Sequence, residues 1–508
     1  MFVREKKNKS GTVSVQIIDK SDGYKVIRTV GSSKDAEEIK GLVNEAKRII
    51  RTSDGRQLEL FSFKTAEESA IERFIGNLTN SQIRIIGPEL IFGKLFDKIG
   101  FNIIKDELFR HLVITRLVYP VSKLKTVDYL YRYRGIIVKP DTIYRFLDKL
   151  RDKYKAIAER VAFEYTKRTL KAISVVFYDM TSLYFEAEDT DDLRKIGFSK
   201  DGKFQKPQIM LGLLVGQNGY PIGYDIFEGN VFEGHTLLPT LKKIQEKHNF
   251  SNPIVVADAA LLSKKNMREL RDKNYQFIIG ARIKNESDRI KKEILKRSKN
   301  TKDKQGFVVK KEDKSRLIVT YSNSRQKKDF SNRERGLLKL RQRIKSGRLT
   351  KESINNRGYN KFLKLKGRIE VEIDEGKVKA DSNWDGLKGY ITNTQLSVHN
   401  IVENYRHLWQ IEKAFRISKT DLRIRPVYHY LRKRIEAHIC IAFAAYTIYK
   451  ELERLLHKHK AGFSPQRAVE LTHNMYEILC RVPNSPESRK IILKMDSQQQ
   501  MLYNIVNK

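Results

Sequence analysis

Cysteine is scarce in this chain: two in 508 residues, Cys440 and Cys480, with no CxxC pair. That excludes a zinc ribbon and a disulfide framework, and it fits a reducing compartment. Long apolar runs are missing as well. The longest, Ile439–Tyr449, is too short to cross a bilayer. The opening MFVREKKNKSG has no apolar segment of the signal-peptide kind, so a soluble cytoplasmic protein without a membrane partner is expected. No GxxxxGK[ST] loop occurs, and Gly212, Gly216, Gly219 and Gly223 do not form a nucleotide loop, so ATP is not an expected partner. Fixed-period repeats are absent too.

Acidic residues are in deficit, with 61 Asp+Glu against 100 Lys+Arg and a net charge of +39. An excess of that size implies a polyanionic partner, because each Lys or Arg brought to a phosphate releases condensed counterions. DNA or RNA comes first, an anionic membrane surface second, and a Lys-rich, AT-biased genome is the plain alternative. The basic residues run along the whole chain, which favours a long binding surface. With 40% hydrophobic and 32% charged residues the chain is globular. Its length implies about two to four domains.

Residues 12–30 alternate around Ser21-Asp22-Gly23 as a hairpin does, and a helix follows from about Ser33 with Asp35, Glu37 and Glu38 in its first turn. A small ββα module over 1–65 is therefore expected. Residues 66–171 read as helical and DNA-binding. Within them Val121–Arg134 and Pro140–Lys153 flank Gly135 as a helix-turn-helix would, although any helical bundle gives the same pattern. The texture then changes. Ile173–Tyr178 is a continuous apolar run, and Pro207–Val215, Tyr220–Phe227, Ile254–Ala257 and Phe277–Ile279 are further strand candidates, with a helix at Leu237–Lys247. The expected fold class is α/β: a mixed-sheet core, first part 172–281 and last part 397–456, interrupted by a basic insertion over 282–396. Strand-like pieces recur in that insertion at Gly306–Lys310, Leu317–Tyr321, Ile369–Ile373 and Gly389–Thr392. Residues 457–508 are expected to be helical.

Asp179 ends one apolar run (VVFYD) and Asp258 ends another (PIVVAD). An acid there is costly to bury unless it is paired or binds a metal. Either alone also reads as a turn-initiating aspartate. Two such acids converge if their strands are neighbours. The stretch Tyr405–Lys419, YRHLWQIEKAFRISK, places Tyr405, Glu412 and Lys419 at intervals of seven. On a continuous helix the three would share one face, with steps of about 10 Å. By itself the stretch reads equally as an amphipathic helix with Leu408, Ile411 and Phe415 as its core stripe. Glu412 would supply a third carboxylate, and hard oxygen donors suit Mg²⁺ or Mn²⁺. Two ions held about 3.5–4 Å apart can activate a nucleophile and stabilise a leaving oxygen.

The ordered set of Asp179, Asp258, a long basic insertion and a helical Glu412 resembles the RNase H-like core of bacterial insertion-sequence DDE transposases, over about residues 173–456. Phe177–Phe185, Gly229–Thr236, Ala257–Ser263 and Tyr405–Lys419 carry the resemblance. The last of these resembles the Y-x(2)-R-x(3)-E-x(6)-K signature of the branch with a β-rich insertion, and Leu408 stands where that signature has Arg. The resemblance implies an RNase H-like mixed-sheet fold with Asp179, Asp258 and Glu412 as catalytic metal ligands for Mg²⁺, Mn²⁺ substituting. It further implies cleavage at the ends of a transposable element and transesterification into target DNA, with a hairpin route open to the branch. The implied partners are double-stranded DNA with terminal inverted repeats and a second protomer at synapsis. Tyr405 and Lys419 would hold a DNA phosphate, and Arg406 or, better placed on the helix, Arg416 would replace the missing Arg. Trp409 and Trp384, the only tryptophans, would offer aromatic faces to an extruded base, against the plainer reading of core filling. His235 in GNVFEGHT could lie near the metals, or serve packing. A nuclease without strand transfer and a DNA-binding protein derived from a transposase are the competing readings.

Overall fold

The run VSVQIID forms the central strand of a small sheet in the computed structural model, because its apolar residues reach the helix that follows. The structure describes residues 1–508 except 22, 53–74, 77, 249, 251, 262, 348, 350, 367–369 and 482–487. Asp22 of the expected turn and the expected start of the helical region near Ala66 lie outside the described residues. The chain divides into two units, Met1–Thr79 and Asn80–Lys508.

In the first unit β1 (Phe2–Lys7), β2 (Val13–Asp19) and β3 (Lys25–Ser33) make an antiparallel meander covered by the helix Ala36–Thr52. Val15, Ile17 and Ala46 form its core. The ββα expectation missed β1. FVREKK is largely charged and exposed, the composition of an edge strand, and it lacks the alternation that marks a half-buried one.

The second unit is built on an eight-stranded mixed sheet. Its strands are β5 (Val175–Tyr184), β6 (Gln208–Val215), β7 (Pro221–Glu228), β8 (Ile254–Ala257), β9 (Gln276–Ala281), β10 (Gly306–Lys310), β11 (Arg316–Tyr321) and β14 (Leu387–Thr392). Their order is β10-β11-β14-β9-β8-β5-β6-β7. β5, β6 and β7 form an antiparallel meander, while β8 lies parallel to β5 and β9 parallel to β8. An antiparallel meander with two parallel strands added beside its first strand is the RNase H-like sheet order. β6 is buried at every position, as a strand covered on both faces must be.

The basic insertion extends this sheet. β14 pairs antiparallel with β9, β11 with β14 and β10 with β11. What stands apart from the sheet is the helix Asn323–Lys345 and the hairpin β12 (Leu363–Lys366) with β13 (Glu370–Ile373), joined by a small core that includes Leu337, Leu340 and Phe362. Ile369 of the expected strand lies outside the described residues.

Helices Lys94–Ile99, Glu107–Val118, Lys123–Arg134, Pro140–Lys149 and Lys155–Leu170 gather around Arg432–Lys458, whose middle is buried on all sides. Gly135 closes Lys123–Arg134 in the left-handed region at φ 65, where a side chain would be strained. The next helix buries Ile143, Phe146 and Leu147, Tyr144 packs under Arg434, and the exposed Lys149 bonds Asp106. Among the described residues no helix is long and apolar enough to cross a membrane.

The expectation of an all-helical C-terminus is corrected. After the helix Pro465–Thr472 come β15 (Tyr476–Arg481) and β16 (Ser488–Ile492), before the helix Ser497–Asn507. β15 pairs with β16 and with β4 (Ile83–Ile85), so the end of the chain closes on the start of this unit. Pairing across nearly the whole unit leaves no local signal in the sequence.

Candidate active site

Parallel pairing of β5 with β8 sets Tyr178 opposite Ala257, so the next residues, Asp179 and Asp258, emerge side by side. β8 ends there and β5 runs on to Tyr184, which leaves the edge of β5 open beside Asp179. Each aspartate takes a bond from the following backbone N–H, Met180 to Asp179 at 2.7 Å and Ala259 to Asp258 at 2.5 Å. The Tyr178 hydroxyl donates to Thr236 at 2.9 Å, pinning the strand below to the loop after β7. That loop supplies Glu233. Lys200 Nζ lies 2.6 Å from Glu233 and 3.8 Å from Asp179, and donates to the Met180 carbonyl. Burial pushes the Asp179 carboxyl up to about 6; Lys200 opposes this, while Glu233 and Asp258 add to it. His235 is exposed and lies against Phe232, so Glu233 is the member of GNVFEGHT that reaches the carboxylates.

Tyr405 reaches the same place from the other side. Its hydroxyl donates to Asp258 at 3.3 Å, and Gly280 makes room for it: a Cβ there would sit 2.5 Å from the hydroxyl. Burial, then Asp258, raises the Tyr405 hydroxyl above its ordinary range. Lys388 of β14 lies over the Tyr405 ring, 4.4 Å from its centre. Burial and Arg325 hold the Lys388 ammonium below its ordinary value, while Asp258 and Glu412 pull it back up. Lys388 is thus a cation on which both Asp258 and Glu412 act. Together with Asp258 and Tyr405 it lines a cavity of about 700 Å³ that also takes in Trp384, Arg325 and Tyr359.

Glu412 is exposed on the helix Trp409–Arg416 and has no hydrogen bond or ion pair among the described residues. Tyr405, Glu412 and Lys419 do not share one continuous helix. Val398–Arg406 ends at His407, and i→i−3 bonds from Leu408 to Tyr405, Gln410 to His407 and Ile411 to Leu408 tighten the chain before the next helix begins. Lys419 then lies in a wider π turn, Ile417–Asp421. Leu408 packs partly buried against the main core. Lys419 is bound by Asp201 at 3.2 and 3.3 Å, and Arg425 pairs with the same carboxylate.

Arg406 acts on both Lys388 and Tyr390, after Arg325: it adds to the lowering of Lys388 by burial and opposes the rise of Tyr390 by burial. Arg416 instead acts on Asp421 and Tyr449. Trp384 lines the carboxylate cavity. Trp409, half exposed, lines a different one with Gln410, Lys413 and His457.

The donors fit a hard divalent cation: they are all oxygen, and the burial of Asp179 is only partly offset by Lys200. Among the described residues no three acidic, His or Cys side chains already stand as a ready-made cage. The profile of the transposase DDE domain matches residues 171–448, more than half of the chain and the whole of this site. The chain belongs to the transposase DDE domain family. Members of this family work with divalent metal, in keeping with that donor set.

Among the chains it resembles is the transposase for insertion sequence element IS231E of Bacillus thuringiensis subsp. finitimus, 25% identical over 169 residues. That match spans 31% of this chain and about a third (34%) of the relative. A piggyBac transposase synaptic complex with hairpin DNA aligns over 76% of each chain at 11% identity with a TM-score of 0.37. A Mos1 transposase paired-end complex with the left transposon end aligns over 46% of this chain and 71% of that one, at 12% identity and a TM-score of 0.16.

Within the DDE frame, Lys388 is the residue that sequence reasoning missed. Its signal was present: a lysine inside LKGYIT, an otherwise buried strand, is as costly as an aspartate at the end of one. Lys200 gave no such signal, since it lies in a loop rich in polar residues.

Proposed function

We propose that this protein is a DNA transposase that cuts phosphodiester bonds at the ends of a mobile element and joins the freed 3′-hydroxyls to target DNA. The observation that carries this reading is the pairing of Asp179 and Asp258 at adjacent positions of parallel β5 and β8, in a chain of the DDE family. Asp179, Asp258 and Glu412 would hold Mg²⁺, with Mn²⁺ able to replace it. Bound there, the ion supplies activation of the attacking oxygen and stabilisation of the leaving one. Water is the first nucleophile, at the element end. The 3′-hydroxyl it exposes is the second, and exchange of one phosphodiester for another needs no ATP. A hairpin at the element end is an alternative route between the two steps.

The side chains around the carboxylates have separate tasks. Tyr405 holds Asp258, while Lys388 and Arg406 bring positive charge to the scissile phosphate. Lys419 exchanges Asp201 for a DNA phosphate when the substrate arrives, and Arg416 adds a further basic contact on the exposed face of the Glu412 helix. Trp384, in the carboxylate cavity, and the exposed Trp409 are surfaces on which an unpaired base can stack. The partners are duplex DNA with terminal inverted repeats and a target duplex, brought together by a dimer in the cytoplasm.

The test combines the full chain, Mg²⁺ and DNA carrying the element's inverted repeats, and the expected products are end cleavage and joining. Glu412→Gln should bind the same DNA nearly as well and cleave none of it. Cleavage without joining would leave a nuclease, and binding without cleavage in either Mg²⁺ or Mn²⁺ a DNA-binding protein.

A further inference from the structure

Away from the carboxylates, a second cavity of about 620 Å³ is lined by Arg116, Ser122, Lys123, Tyr144, His429 and His438 among others, and no acidic side chain lines it. Arg116, Lys123, His429 and His438 are each at most 7% exposed. Arg116 has only long bonds, 3.4 and 3.5 Å, to the carbonyls of Leu422 and Arg423, and its Nε has no partner. Lys123 has no hydrogen bond or ion pair among the described residues. His438 donates from Nε2 to the Ile424 carbonyl at 3.0 Å, which leaves Nδ1 bare. The nearest acid acting on the group, Asp148, is already held by Arg434 at 2.9 and 3.0 Å.

Burial without a counter-charge pushes Arg116 down to about 10 and Lys123 well below its ordinary value. It lowers His429 to about 3 and holds His438 well below its usual range, with Arg116 and Lys123 adding to both. Two buried basic side chains do not stay together without a counter-charge for packing alone, because apolar residues of equal size would be better there. The start of the helix Lys123–Arg134 also faces the cavity. Ser122 caps it, and the positive end of its dipole favours an anion. Arg423–His429, which supplies part of the lining, follows the π turn that comes after the Glu412 helix. Its Arg425 shares Asp201 with Lys419, so the pocket continues the basic track that leads from the carboxylates.

We infer that this pocket binds a backbone phosphate of DNA, held by Lys123 and Arg116 at the Ser122-capped helix start. The inference rests on the DNA-transposase reading and gives that reading a second anchor outside the site of chemistry. The phosphate accepts bonds from the two cations and from the free backbone N–H groups of the first helical turn. His438 Nδ1 then gains a partner once its ring is protonated beside the anion.

Lys123→Met and Arg116→Met separate this role from a structural one. Inorganic phosphate should raise the melting temperature of the wild-type protein and raise it less in either variant. Both variants should bind a fluorescent duplex of arbitrary sequence about tenfold more weakly, with a salt slope shallower by about one. Without phosphate, Lys123→Met should melt no lower than wild type, because it removes an unpaired buried charge. A marked fall in its melting temperature would make Lys123 a structural residue and overturn the inference. Wild-type duplex affinity and salt slope in both variants would overturn it too, leaving the transposase reading intact. A phosphate effect lost in the variants with duplex binding unchanged would assign the pocket to free phosphate in place of DNA. A wild-type protein that binds no duplex would remove the transposase reading itself.

Discussion

Asp179→Asn should make the metal-free protein more stable while abolishing cleavage. In the fold its carboxyl is pushed up to about 6 from an ordinary 3.8, first by burial and then by Glu233 and Asp258, against Lys200 at 3.8 Å. A shift of that size corresponds to at most about 3 kcal/mol, at roughly 1.36 kcal/mol per unit of pKa. The side chain is 27% exposed, and solvent screening reduces the cost to about 1–2 kcal/mol. The folded state binds this proton more tightly than the unfolded chain does. Wild-type stability therefore falls as pH climbs from about 4 to about 6, and the missing stability stays missing at neutral pH. Asparagine keeps the size and the bond from the Met180 N–H without the charge. The assay is denaturant unfolding in EDTA at neutral pH, where the variant should gain about 1–2 kcal/mol and lack the fall between pH 4 and 6. Saturating Mg²⁺ should then reverse the order: an ion at about 100 times its Kd stabilises the wild-type protein by about 2.7 kcal/mol and the variant by little. A loss of stability in EDTA would refute the reasoning, because it would mean that the Asp179 charge is held favourably without a metal.

Lys388→Met removes a cation on which both Asp258 and Glu412 act. Cleavage of end DNA should fall about ten- to a hundredfold while duplex affinity changes far less and the melting temperature does not drop, as single-turnover kinetics and a thermal scan will report. Arg333 and Asp385, whose side chains are 7% and 9% exposed, join the helix Asn323–Lys345 to the turn before β14 through bonds of 2.5 and 2.6 Å. Arg333→Met strands the Asp385 charge and should cost about 3–5 kcal/mol in denaturant unfolding. Adding Asp385→Leu should recover most of that loss, which a double-mutant comparison measures.

Much of the catalytic half was legible because its signals are local. β8 is a short apolar run followed by an acid, β5 carries its acid midway, after an apolar first half, and two acids beside two buried strands need a common reason. Neighbouring strands supply it, and the parallel register that sets Tyr178 opposite Ala257 brings Asp179 and Asp258 together. The pieces Gly306–Lys310, Leu317–Tyr321 and Gly389–Thr392 were legible as strands, but their destination was not. Nothing in their composition separates an independent β domain from a continuation of the main sheet, and only the pairing of β14 with β9 decides it. β1 and the β15–β16 pair escaped for a related reason. One is an edge strand made of charged residues, and the others depend on a partner from the opposite end of the unit.

The signature stretch taught a narrower lesson. Seven-residue spacing promises a shared face only while the helix keeps 3.6 residues per turn, and between Arg406 and Trp409 it does not. The i→i−3 bonds around His407 and Leu408 change the rotation between Tyr405 and Glu412, and the π turn after Arg416 changes it again before Lys419. Tyr405 is thereby aimed at Asp258, Glu412 is left exposed toward Lys388, and Lys419 is carried away to Asp201. Three residues that look equivalent in the sequence thus reach three different electrostatic settings. Leu408 belongs to the same break. Its side chain is partly buried against the main core, where an arginine would need a partner, and the exposed Arg406 one step before the break acts, with Arg325, on Lys388 and Tyr390.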